Sequence, residues 1–141
     1  MTRARLEAKI GFDKVREIIS NKCQTEYATD RVAQEDFSID ESTIRERLAL
    51  TDEMRLIVMF EDGFPTTGYI DALPFLKPLE KSGSSIDVIS LGKLSTLLEI
   101  SRKVNSFFSS IKDGVYPLLK KKSETMVSYP EVRRRIEGIL D

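Results

Sequence analysis

The chain has 141 residues, of which 40% are hydrophobic and 32% charged, with a formal net charge of −1. That suits one soluble domain with a modest core and excludes a disordered, highly charged tail. The longest unbroken apolar run, Leu56 to Phe60, is far too short to cross a bilayer; Glu7 and Lys9 interrupt any signal-peptide pattern, so a cytoplasmic address and no membrane partner are expected.

In chain order, Phe12 to about Lys22 reads as the first helix, with Val15, Ile18 and Ile19 on one face. Ile10 and Phe12 would anchor it against a core while Gly11 lets the chain turn into it. A second, short helix follows from Thr25 as cap, through Tyr27, Val32 and Ala33. Phe37 to Asp40 is a link, with Ile39 placed to staple onto the next helix and Asp40 or Ser38 as its cap. Glu41 to about Phe60 is a long helix. Its apolar residues (Ile44, Leu48, Leu50, Met54, Leu56, Ile57, Val58, Phe60) spread so widely that cover on more than one side is expected, some of it from protein outside this segment.

Glu61 to Tyr69 is a glycine- and proline-bearing loop. Asp71 can cap a short helix through Leu79, made irregular by Pro74 and Pro78. Ser82 to Ser85 is a turn, and Ile86 to Ile89 alternates weakly, as a short strand would. Ser90 is the expected cap of the clearest helix, with Leu94, Leu97, Val104, Phe108 and Ile111 at three- and four-residue steps. Tyr116 to about Lys122 and Pro130 to Leu140 complete the pattern, Pro130 at a favoured first-turn position. The fold class is therefore all-α, an irregular multi-helix bundle. Residues 1–60 would hold three helices, 61–89 a connection, and 90–141 a long helix and two short ones.

No histidine is present, which excludes Ser-His-Asp and Cys-His machinery and any histidine-ligated zinc. The single cysteine, Cys23, has no base to activate it and reads as a partly buried helix residue. The 23 acids leave carboxylate chemistry open, but none is marked out as a catalytic pair. Gly63 and Gly68 have phosphate-loop spacing, yet Tyr69 and Ile70 stand where lysine and a hydroxyl residue are needed. Gly92-Lys93 fails too, with Asp87 at the first glycine position and Leu94 at the hydroxyl position. No cofactor or metal site is expected in the segment itself.

Residues 71–141 carry 12 basic and 9 acidic side chains, against 10 and 14 in residues 1–70. Any DNA-facing surface would thus draw on Lys120, Lys121, Lys122, Arg133, Arg134 and Arg135. Three consecutive residues fan around a helix, so a solvated surface is the stronger reading of either triplet alone. Phe107 and Phe108 could stack on bases, but beside Val104 and Ile111 they read as core.

The stretch KIGFDKVREII, Lys9 to Ile19, with Leu6-Glu7 before it, resembles the start of the MutS family, in the bacterial branch associated with suppressing recombination. Thr51 to Leu56, Gly68 to Asp71 and Ile89 to Leu94 are similar to later phrases of that family and stand in the same order. Departures are Lys93 where an acid is usual, and the interruptions at Pro74 and Pro78. The resemblance implies an N-terminal part of a MutS-like core and lever region, continued by an ATPase domain and in some members by a nuclease domain. It also implies a parent that dimerises, binds mismatched or branched DNA, and uses ATP and Mg. This segment would be non-catalytic scaffold contacting the rest of its chain, with no ATP, nuclease or mismatch-reading residue of its own. A stand-alone helical adaptor for another protein is the competing expectation.

Overall fold

Thr2 opens the chain's first helix, its hydroxyl oxygen accepting the Arg5 amide at 3.3 Å. The computed structural model describes all of residues 1–141 and is entirely helical. In order come α1 (Arg3–Ile10), α2 (Phe12–Lys22), α3 (Glu26–Gln34), α4 (Glu41–Phe60), α5 (Leu73–Leu76), a 3-10 turn (Lys77–Glu80), α6 (Val88–Ser110), α7 (Pro117–Ser123) and α8 (Pro130–Leu140). Contacts divide them into two units, Met1–Phe37 and Ser38–Asp141, grouping α4 with the later helices rather than with those before it.

In the first unit, α2 packs against α1 and α3. Gly11 ends α1 and starts α2 with φ +75°, a left-handed turn that favours glycine. The sequence did not signal α1, because its apolar pattern is thin and its one buried residue is Glu7. Ile10 does not anchor a core; it is 63% exposed. Phe12 is half-buried, tilted against Phe37 at 6.5 Å and lying under the Arg16 guanidinium at 5.5 Å. Thr25 caps α3 as expected, accepting the Ala28 amide at 3.1 Å.

The second unit is built on α6, which packs against α7 and α8, while α4 packs against α7. Its core joins Ile57 of α4 to Ile100, Val104, Phe107 and Phe108 of α6 and to Tyr116. Phe107 and Phe108 are core residues, edge-on to each other at 5.1 Å and both edge-on to Phe64 from the loop. That loop lies so close to α6 that a Cβ on Gly68, whose φ is +87°, would sit 2.8 Å from Ile100 Cδ1.

Three local expectations are corrected. Ile39 is no staple but fully exposed; Asp40 alone starts α4, accepting the Thr43 amide at 2.9 Å and both the Ser42 and Thr43 hydroxyls. Residues 86–89 form no strand, and Ser90 is not the cap of α6. Asp87 caps it, accepting the Ser90 amide at 2.9 Å and the Ser90 hydroxyl at 2.7 Å. A carboxylate placed to take both donors outcompetes the serine, so the helix begins at Val88. Much of the apolar surface of α4 is left uncovered within this chain, in line with its wide apolar spread. Only Ile57 is buried; Leu48, Val58, Met59 and Phe60 are each more than half exposed.

Candidate functional site

The basic triplets lie on α7 and α8, and the start of α7 is set by a tertiary contact. Pro117 begins α7 with no side-chain cap from its own neighbourhood. The cap comes from α4: the Glu53 carboxylate accepts the Leu118 amide at 3.1 Å and the Leu119 amide at 2.8 Å. The Tyr116 hydroxyl donates to Glu61 at 2.9 Å, and that bond together with burial raises the tyrosine's pKa. Amides at the positive end of a helix prefer a carboxylate, so Glu53 supplies what the Tyr-Pro start cannot.

With α7 fixed in this way, its lysines diverge. Lys120 turns inward, donating to the Ile111 carbonyl at the end of α6 and to Asp113 at 2.8 Å, which lowers the Asp113 pKa. Lys121 and Lys122 are exposed. On α8, Arg133 is partly buried and reaches Glu99 at 3.1 Å and Glu137 at 3.6 Å; Arg135 pairs with Glu131 at 3.2 Å. Arg134 is exposed with no acid in ion-pair range. Thus Lys120, Arg133 and Arg135 have internal acidic partners, while Lys121, Lys122 and Arg134 face solvent. The triplets are not two uniform cationic patches.

Arg133 and Glu99 line an open groove of about 920 Å³ whose wall mixes polar residues such as Asp62, Lys103 and Glu137 with Phe64 and Ile100. Arg102 binds both oxygens of Glu99, at 2.9 and 2.7 Å. That hydrogen bonding, with the charges of Arg102, Arg133 and Lys103, holds the Glu99 pKa down to about 2. A carboxylate so pinned stays ionised near neutral pH and is unsuited to general acid or base work there. No group of three or more acidic or thiol side chains is placed to hold a metal ion.

The Gly63–Gly68 loop does not fit a nucleotide phosphate. Gly68 is pressed onto Ile100, and Tyr69 to Ala72 are non-helical, so no helix N-terminus opens where the loop ends. Cys23 follows the last turn of α2, half-buried, its thiol donating to the Ile19 carbonyl at 3.5 Å.

Two apolar surfaces remain. Along α4, Leu50, Met54, Val58 and Met59 with Thr51 and Arg55 form a shallow groove of about 520 Å³. In the first unit a pocket of about 290 Å³ is lined by Phe12, Ile19, Val32 and Phe37, with Arg16 and Arg31 among its polar residues. The sequence marked α4 as over-apolar, the one signal of these surfaces. Neither the Glu53 cap nor the pairing of Glu99 with Arg133 left a local pattern, because the partners lie 65 and 34 residues apart. No protein-family model, curated protein or solved structure matches the chain.

Proposed function

We propose that this chain is a non-catalytic helical scaffold segment of a MutS-like DNA repair and anti-recombination ATPase, acting through helix contacts rather than through DNA. The carrying observation is α4, whose outer residues Leu48, Val58, Met59 and Phe60 are solvent-exposed around a single buried residue. Exposed apolar surface of this kind suits a helix that is covered by more protein. The MutS-like assignment itself rests on the order of the four sequence phrases. ATP, Mg and any nuclease activity belong in this reading to the parent protein, and DNA is reached through it and its dimer partner.

The same α4 surface supports a second reading, a stand-alone helical adaptor, which the near-neutral charge also favours. Both readings expect the purified chain to bind a labelled four-way DNA junction more weakly than about 10 µM at ~150 mM salt, measured by fluorescence anisotropy. Tight, salt-sensitive binding that is lost on substituting Lys121, Lys122 and Arg134 would overturn both. The reading frame beyond codon 141 separates them. Helical sequence leading to glycine, four residues and Gly-Lys-Ser/Thr supports the scaffold, and a stop codon supports the adaptor.

A further inference from the structure

The first unit has no buried apolar side chain. Its only buried residue is Glu7, while Ile10, Val15, Ile18 and Ile19 are all substantially exposed. In place of an apolar core it has a charged centre. Arg16 on α2 grips both Glu7 oxygens, at 3.1 and 2.5 Å, and also donates to the Val32 carbonyl near the end of α3. Arg3 on α1 donates to the Ala33 carbonyl at 2.9 Å and the Glu35 carbonyl at 3.0 Å. Two arginines thus satisfy carbonyls that the end of α3 would otherwise leave unpaired, and one of them is held in place by Glu7.

Glu7 is faced by Arg3 on its own helix, by Arg16 on α2 and by Asp36 beyond α3; Glu35 lies near Arg16. A segment of 37 residues is short for apolar burial to hold it together unaided. Breaking a buried charge pair by removing one partner strands the other, which is far more costly than losing a surface pair.

We propose that Met1–Phe37 is an order–disorder element that opens as its own cooperative unit, with the Glu7–Arg16 pair as its latch. The hydrogen bonds from Arg16, helped by the charges of Arg16 and Arg3 and opposed by burial and Asp36, lower the Glu7 pKa. The sign follows. The latch is fully present above the ordinary glutamate value of 4.5 and is lost as pH falls below it through the lowered folded value.

Hydrogen exchange followed by mass spectrometry on the full chain tests this. In Glu7→Gln, amides of α1 to α3 should exchange on the order of a hundredfold faster, while those of α6 and α8 keep their wild-type rates. Ile18→Ser, on the exposed face of α2, should leave both sets of rates within about twofold. After correction for intrinsic rates, acidification below pH 4.5 should speed exchange in residues 3–34 of the wild type more than in Glu7→Gln. Equal loss of protection in both units, wild-type protection in Glu7→Gln, or an Ile18→Ser effect as large as that of Glu7→Gln would each overturn the proposal.

Discussion

Replacing Ile57 by alanine tests how α4 is held, because its side chain has no exposure at all. It meets a core formed by Ile100, Val104, Phe107, Phe108 and Tyr116. The substitution removes three carbons; at ~0.8 kcal/mol per buried methylene the transfer loss is about 2.4 kcal/mol. A residual cavity beside three aromatic rings and two β-branched neighbours adds about 1 kcal/mol, for a total near 3.5 kcal/mol. Leu48→Ala and Met59→Ala remove similar groups from the same helix, but those residues are 64% and 60% exposed. Each should cost less than about 0.5 kcal/mol. Urea unfolding of the purified chain, followed by circular dichroism and by tyrosine fluorescence, measures all three. If Leu48→Ala costs as much as Ile57→Ala, the outer face of α4 is covered in solution and the case for a missing partner fails. If Ile57→Ala costs under about 1 kcal/mol, the core is not where the packing places it.

Three further outcomes are expected. Asp87→Ala should destabilise the chain by about 1 kcal/mol in the same urea assay and Ser90→Ala by only a few tenths, since the carboxylate and not the hydroxyl caps α6. Gly68→Ala should cost about 2 kcal/mol or more, because it forces an L-residue to positive φ and drives a Cβ against Ile100. The Glu99 pKa is depressed from 4.5 to about 2, so its ion-pair stabilisation is complete above pH 4.5 and is lost as pH falls toward 2. Over that window Glu99→Gln should show a shallower fall in melting temperature than the wild type, and an identical slope would refute the pairing with Arg102 and Arg133.

What could be read from the sequence was local. The bounds of α4 and α8 follow from Asp40, Pro130 and the apolar repeats between them, and α3 follows from its Thr25 cap. The core placement of Phe107 and Phe108 follows from their spacing with Val104. What could not be read depends on distant partners. α1 is organised around a buried glutamate, so a search for apolar periodicity passes over it. The start of α6 lies three residues before the one Ser90 would set, because Ser90 and Asp87 are both acceptable caps and only the fold shows which one receives the amide. That three consecutive basic residues fan around a helix is legible; that Asp113 takes Lys120 and Glu99 takes Arg133 is set by the fold. The apolar excess of α4 was legible, but a sequence cannot say whether its own chain will cover that excess.

The cap that Glu53 places on α7 also orders events in time. A helix of seven residues beginning Tyr-Pro cannot persist alone in water, and its stabilising carboxylate lies 65 residues upstream. During synthesis α4 leaves the ribosome well before α7 exists, and the late segment can settle only onto a surface already in place. Closing so long a loop for so short a helix belongs after the rate-limiting step. Removing the Glu53 carboxylate should therefore hasten unfolding and leave the refolding rate almost unchanged.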